Sequence, residues 1–543
     1  MTLRTPPWLP EALLLFLVLF GPLAFGAVEP WSLAILEIAA FLMLFFSSAR
    51  GFSGLEGPVY QALLPAVAGV ALIGLLQWLN PHPMPWPRSL APFTASAYGT
   101  GRALLLWSAY GALLFCATQA LSSRASCHRF ARAVFLVGVI VAAVGIAQRG
   151  QGNQAYYGLR TIRQGWPFGP YTNQDHAASL MVMSALMGCG LVISSFIKLR
   201  LEPNLGRRSD LLAIQALTLF ALSIVLFGII QTGSRGGLNS LAVSSWVLSM
   251  AATRFLSQRA PRWIARSLLG MAALAYALWL WLHPAWIGFA GGTPDFSTAY
   301  RLSMYRSGGL MFKDFPMTGT GLGALMHSFP VYQERFVDGF VDHVHNDWLE
   351  LLLQTGIVGL LCYAAGVVIL SIQTIRLWFS VSSREARCLI GGALAAAFAF
   401  VLHGLVDFAF QIPANAVVFL AIAAFLGCVG HAVSKPPDAE FGLRPPAALA
   451  LTKTRAVICA LSLGMAGVSI RPVVAACYRR LADQALPAAS PDLLAKALSW
   501  DADPSHRYQL GLAYLTLAEK TPAARTIFLR KALLHSRIAL DQD

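Results

Sequence analysis

The sequence predicts an all-α fold, a polytopic bundle of about 12 to 13 membrane-spanning helices. Two observations carry this. Of 543 residues, 57% are hydrophobic and only 12% charged, whereas a soluble domain carries roughly 25% charged residues. Apolar runs of about 20 residues recur along most of the chain, the length a helix needs to cross lipid. The ten-residue alternation of a membrane barrel is absent, and lipid cannot satisfy free backbone N–H and C=O groups, so the spans are helical.

The expected spans are 11–28, 31–48, 59–79, 103–121, 130–148, 176–197, 210–231, 234–253, 264–284, 347–375, 387–410, 413–433 and 455–475. The run Leu13 to Val28 is preceded by one basic residue, Arg4, and lacks a clean small-residue cleavage site. It is expected as a retained first helix rather than a signal peptide. The segment 347–375 is long enough that it must tilt or extend beyond the lipid.

Eight cysteines show no C-x-x-C or other metal-like spacing. Cys116, Cys189, Cys362, Cys428 and Cys459 lie inside apolar runs, where a thiol behaves as a small hydrophobe. The net charge of +15 is spread over many short connections and forms no aromatic-interleaved tract, so nucleic acid is not an expected partner.

With the N-terminus on the inner side, the even-numbered connections hold the basic groups Arg124 and Arg129; Lys198, Arg200, Arg207 and Arg208; Arg254, Arg259 and Arg262; Arg376, Arg384 and Arg387; and Lys435, Arg444 and Lys453. Five successive short loops thus obey the positive-inside pattern. The odd-numbered connections then face outward: 80–102, 149–175, the turn at 231–235 and the long loop 285–346. Their arginines run against the topological trend and need another explanation.

Residues 1–477 are expected as one membrane domain and 478–543 as a polar helical tail. Within the tail, Leu510–Tyr514 and Lys531–Leu533 resemble one tetratricopeptide-type helical pair, too little for a free-standing solenoid. An odd span count places the tail on the outer side.

The chemistry-bearing segments cluster in the outer connections. His345-Asn346 is followed after nine residues by Gly356-Ile357-Val358-Gly359. An imidazole at a water boundary is suited to taking a proton from a hydroxyl near neutral pH. The competing reading is a loop histidine with Asn346 or Asp347 merely capping the helix, and Asp347-x-x-Glu350 has capping-box spacing, so capping is the expectation for that pair. Arg235 sits in Thr232-Gly233-Ser234-Arg235-Gly236 at an expected helix N-terminus, where free N–H groups and the dipole favour an anion; snorkelling to the interface is the plainer alternative. Arg301 and Arg306 share an expected short amphipathic helix, about 140° apart around it, so the two need not face one ligand. Arg160 and Arg163, near Trp166, form a second basic patch, which is also an ordinary surface feature. His403 and Asp407 lie four apart on one face of the expected span 387–410; ionisable groups there point to function or to an interhelix hydrogen bond.

His345-Asn346-x9-Gly356-x2-Gly359 resembles the signature of the O-antigen ligase and polymerase superfamily, with Leu360 in a slot usually held by Thr or Val. Phe168-Gly169-Pro170-Tyr171-Thr172-Asn173, the Arg235 segment and Asp314-Phe315-Pro316-x2-Gly319-x-Gly321-x-Gly323 are similar to further features of that family, in its order, over roughly residues 150–430. The resemblance implies transfer of a glycan from an undecaprenyl-diphosphate carrier to an acceptor hydroxyl at the periplasmic face of a bacterial inner membrane. It implies His345 as general base or orienter, and Arg235 and Arg301 as holders of the diphosphate. Arg160, Arg163, Arg306, Asn346, His403 and Asp407 are expected around the substrates, with Trp166, Tyr171 and Tyr305 offering faces to sugar. The acceptor is open between lipid A-core, glycan and protein, that is, between ligase, polymerase and O-linked protein glycosyltransferase. Membrane lipids are the other expected partners.

No cofactor or metal is expected. Asp338, Asp342, His343, His345 and Asp347 cluster in sequence but lack recognised ligand spacing, and the Gly319/Gly321/Gly323 run lacks the Gly-Lys-Ser/Thr of a phosphate loop. The rival from another class is a transporter or flippase of an anionic lipid-linked substrate. Internal repeats and broken helices would mark it, and no repeat is evident.

Overall fold

The computed structural model describes residues 6, 8–50, 59–82, 90–152, 155–157, 160–161, 166–255, 259–283, 289–290, 293–333, 341–434 and 451–542. In chain order the helices are α1 (Leu9–Leu23), α2 (Pro30–Arg50), α3 (Leu64–Trp78), α4 (Ala97–Ala120), α5 (Arg124–Gly150), α6 (Gln174–Leu201), α7 (Leu205–Thr232), α8 (Arg235–Ala252) and α9 (Arg259–Leu282). Then follow α10 (Phe296–Asp314), α11 (Leu325–Ser328), α12 (Asp347–Ser380), α13 (Arg384–His403), α14 (Pro413–Ser434), α15 (Leu451–Gln484), α16 (Ser490–Trp500), α17 (Pro504–Lys520) and α18 (Arg525–Gln542). Strand structure among the described residues is confined to two antiparallel pairs of two-residue strands, Ala155–Tyr156 with Arg160–Thr161 and Phe289–Ala290 with Thr293–Pro294. The chain is a polytopic helical bundle.

Among the described residues nine helices are long and apolar enough to cross a membrane, joined by two shorter apolar helices, Leu9–Leu23 and Pro413–Val429. The expected spans 234–253 and 264–284 are present as α8 and α9 but stand outside those nine. In α8 the polar and small residues Gly236, Gly237, Asn239, Ser240, Ser244 and Ser245 dilute the apolar ones. Helix α14 is the axis of the bundle, buried on every side from Ala414 to Leu426, as a helix apolar all round must be. Helices α6 and α13 meet backbone to backbone: a Cβ at Gly190 would stand 2.9 Å from the Cys388 carbonyl oxygen. Small residues at a membrane helix interface permit such close approach.

The two ends of the bundle differ in charge. At one end Arg124 and His128 of α5 and Lys198 of α6 all converge on Glu385 at the start of α13. These are three of the basic connections expected on one side. At the opposite end lie the 94–96 segment, the ends of α5 and α7, the starts of α6 and α8, and the loop carrying α10 and α11.

Helix α12 is broken. Gly356 has φ 65° and ψ −171°, and the freed backbone groups are taken up by the glycine-rich segment 316–321. Ile357 N donates to Pro316 O at 2.8 Å and Val358 N to Met317 O at 3.3 Å, while Thr320 N and Gly321 N donate to Leu353 O and Gln354 O. The buried amides of Gln77 and Gln354 bind the same segment: Leu322 N donates to Gln77 Oε1 and Gly323 N to Gln354 Oε1, both at 2.9 Å. The Gly319–Gly323 run therefore shapes a turn, as its sequence suggests, and that turn plugs a helix break.

The tail begins without an interruption at the expected boundary, because α15 runs through 477 to Gln484. Helices α17 and α18 then pair, with Tyr514 stacked on Phe528 and His535. Tyr98 at the start of α4 donates to Asp501 Oδ2 at 2.8 Å, which fixes the tail at the same end as the 94–96 segment.

Candidate active site

Three connections place the expected residues. At the α7–α8 turn, Gly233 takes the left-handed conformation (φ 69°), Ser234 caps α8 by accepting from Gly237 N at 3.1 Å, and Arg235 is the first helical residue. Its Nη1 donates to Asp295 Oδ2 at 2.6 Å. Asp295 is also the N-cap of α10, accepting from Thr298 N at 2.9 Å, so the α8 turn and the loop helix are tied at one carboxylate. The Arg235 hydrogen bond holds Asp295 down at a pKa of about 2. The carboxylate is therefore charged at any working pH, and the pair weakens only as pH falls toward that value.

The loop helix is longer than the expected short segment, 19 residues from Phe296 to Asp314. It directs Arg301 at the start of α6, where its Nη2 stands 3.7 Å from Asp175 Oδ2 while its buried Nε has no hydrogen-bond partner. Arg306 points elsewhere and is exposed, in line with the angular argument. Tyr305 donates to the backbone carbonyl of His345 at 2.9 Å.

His345 has a positive φ of 52°, uncommon for a residue with a Cβ. Its ring packs edge-on to Phe408 at 4.8 Å, and its Nδ1 faces Asp407 Oδ1 at 3.5 Å. Asp407 is almost fully buried and collects three histidines: His345, His403 through Nε2 at 3.3 Å, and His176 through Nε2 at 3.7 Å. A buried carboxylate needs such company, since an unpaired charge there is costly. Gly236, next to Arg235, abuts the His403 imidazole and Val406, so the Arg235 turn packs directly on this cluster.

Four expectations are corrected. The span 387–410 stops at His403, because Gly404 begins a turn. Asp407 lies in that turn, not on a helix face, and still reaches His403. Asp347-x-x-Glu350 is no capping box: Asn346 caps α12 by accepting from Leu349 N at 2.9 Å, and its Nδ2 donates to Leu405 O. Glu350 instead turns inward to His343 Nδ1 at 2.8 Å and Val344 N at 3.3 Å, while Asp347 accepts from Phe410 N at 3.0 Å. Tyr171 is buried, its hydroxyl on Asn415 Oδ1, and offers no face to a sugar, whereas Trp166 is exposed.

Arg160 is placed as backbone opposite Tyr156; its side chain lies outside the described residues, as do Arg163 and Asp338. Among the described residues no three His, Cys, Asp or Glu side chains form a group able to hold a metal ion. His343 is committed to Glu350; burial opposes its charged form, but that carboxylate raises its pKa above the ordinary histidine value.

Sequence reasoning missed Asp175, His176, Asp295 and Arg149. Arg149 Nη2 joins Gln174 Oε1 at 2.7 Å to Thr232 O at 3.3 Å, binding three helix ends together. The available signal was polar residues flanking outer helix ends: Arg149 closes α5, and Asp175-His176 opens α6.

The arrangement brings two guanidiniums and a carboxylate-backed imidazole to one end of the bundle. A search of curated proteins gives no match. Residues 220–364, which carry Arg235, Arg301 and His345, match the family model described as O-antigen ligase, so this segment of the chain is similar to that family.

Proposed function

We propose that the protein transfers a glycan from undecaprenyl diphosphate to an acceptor hydroxyl at the periplasmic face of a bacterial inner membrane. The observation that carries this reading is the packing of the connections that bear Arg235, Arg301 and His345 on one another: Gly236 abuts the His403 imidazole, Tyr305 donates to the His345 carbonyl, and His345 and His403 share buried Asp407. The basic cluster around Glu385 supports a cytoplasmic assignment of that end by the positive-inside pattern, with the site at the opposite end.

With Nδ1 turned to Asp407, His345 presents Nε2 to the acceptor. The acceptor oxygen gives its proton to Nε2 and bonds to the sugar C1 from the face opposite the carrier, inverting that centre. The C1–O bond breaks, and its electron pair leaves with the diphosphate. Arg235 and Arg301 stabilise the charge developing on that oxygen, by forked donors that stay charged at every working pH. The chemistry written this way calls for no metal. An apolar cavity of ≈ 430 Å³ between α8, α12 and α13, lined by Val247, Leu248, Val367, Leu370 and Phe398, is suited to the carrier's prenyl chain.

A broken membrane helix is also a feature of transporters. Here the break in α12 is filled by the chain's own carbonyl and amide groups, which favours a structural plug over a translocation site.

The test uses purified full-length protein in lipid with undecaprenyl-diphosphate glycan and candidate acceptors. Arg235→Ala is expected to lower transfer by about 10²- to 10³-fold, the usual effect of removing one donor to a developing oxyanion. Wild-type transfer by both Arg235→Ala and His345→Ala would sink the assignment. The acceptor consumed, lipid A-core, glycan or protein, fixes the subclass.

Asp295 competes with an incoming diphosphate for the Arg235 guanidinium. Asp295→Asn is therefore expected to lower the donor KM several-fold, by roughly the 0.2–1 kcal/mol of a part-exposed ion pair, with little change in kcat. A raised KM would show Asp295 to be a positioning group instead.

A further inference from the structure

A second polar site lies outside the matched segment. Helices α3 and α4 on one side and α15 on the other enclose a cavity of ≈ 420 Å³, roofed by the tail at Asp501 and Ala502. Its lower wall is apolar, from Leu104, Leu105, Met465 and Val468; its upper wall carries Trp78, Arg102 and Arg471.

Arg102 is the sixth residue of α4, roughly 8 Å below the start of that helix at 1.5 Å per residue. Trp78 closes α3, and its indole Nε1 faces the Gly101 position beside Arg102. This is the depth of the membrane interface, where tryptophan and arginine settle. It is also the candidate active-site end, because Gly99 abuts the Gly323 carbonyl of the plug segment.

Arg102 is poorly matched within the chain. Its Nη2 stands 3.7 Å from Glu37 Oε1, too far for a hydrogen bond, and both Glu37 oxygens are buried without a hydrogen-bond partner. Arg471 is exposed and, among the described residues, donates through Nε to Trp500 O at 2.7 Å. Asp501, the carboxylate on the rim, accepts from Tyr98. Two guanidiniums with donors to spare thus stand over an apolar cleft open to the bilayer. Guanidinium pairs select phosphate oxygens, and the apolar wall selects a chain.

We propose that this cavity binds an acidic glycerophospholipid, its phosphate between Arg102 and Arg471 and an acyl chain along α15. The lipid would clamp the tail against α4 beside the plug segment.

The test is native mass spectrometry of the full-length protein titrated with phosphatidylglycerol or phosphatidylcholine, with inorganic phosphate in a parallel thermal-shift arm. Phosphatidylglycerol is expected to bind at least tenfold more tightly than phosphatidylcholine. Arg471→Gln, and separately the double change Glu37→Gln with Arg102→Gln, are each expected to weaken phosphatidylglycerol about tenfold and phosphatidylcholine, whose choline offsets its phosphate charge, by less. The double change keeps Glu37 from being stranded as a buried charge; should it fail to fold, Arg471→Gln on the exposed rim carries the test. Equal binding of the two lipids, or no effect of Arg471→Gln, overturns the proposal. So does an arginine-dependent shift by phosphate alone that equals that of the lipid. The readout is binding, so it stands apart from glycan transfer.

Discussion

Replacing His345 by alanine is expected to lower glycan transfer by about two to four orders of magnitude, the usual contribution of a positioned general base. The effect should fall on kcat, because the guanidiniums that would hold the donor stand on α8 and α10 and are not built on the imidazole. His345 is partly exposed and contributes little to the core, so the melting temperature should move by no more than a few degrees. The positive φ complicates alanine, which dislikes that region, but asparagine tolerates it. His345→Asn therefore keeps the backbone and removes the base; it should be as inactive as His345→Ala. Transfer restored by Asn would mean that the imidazole only shapes the loop, and the proton would have to go elsewhere.

Much of this site was legible from residue types and spacing. Arg235 and Arg301 violate the charge trend expected of outward connections, and a residue that is out of place for topology is available for chemistry. Arg301 could be separated from Arg306 by helical geometry alone, and the structure keeps that separation, one on Asp175 and the other exposed. The carboxylates were harder. Asp295 and Asp175 resemble ordinary helix-start residues, and Asp295 is indeed a cap. Only tertiary packing brings them to the arginines, and no local pattern encodes that. Glu350 misled for the opposite reason: a perfect capping spacing was overruled because His343 and Val344 offered it buried donors. The break in α12 was hidden because hydropathy is continuous across Gly356, and a window average does not register a dihedral.

That break makes the second prediction the largest for stability. Gly356→Ala is expected to destabilise the protein by more than about 4 kcal/mol, or to leave it unfolded. A φ of 65° with ψ near −171° is a region that only glycine occupies comfortably, and forcing another residue there costs of order 1–3 kcal/mol. The added Cβ would also stand 2.2 Å from the Met317 carbonyl carbon, inside any allowed contact. Relief by straightening α12 would return Leu353 O and Gln354 O to Ile357 N and Val358 N, and would strip Thr320 N, Gly321 N, Pro316 O and Met317 O of their partners. Each buried group so orphaned costs about 1–3 kcal/mol. The break lies ~14 Å along the helix from Asp347, at 1.5 Å per residue, where no water is at hand to substitute. Val358→Ala, a truncation two residues on at a partly exposed position, should be nearly neutral and serves as the control. Thermal unfolding monitored by size-exclusion fluorescence decides the matter, and an unchanged midpoint for Gly356→Ala would show that the plug does not hold the helix. Because segment 316–321 connects α10, with Arg301, to the loop ending in His345, variants that keep part of the fold should lose transfer in step with stability. The glycine that follows His345-Asn346 by nine residues would then be a structural requirement of the pocket, acting through the backbone and never touching substrate.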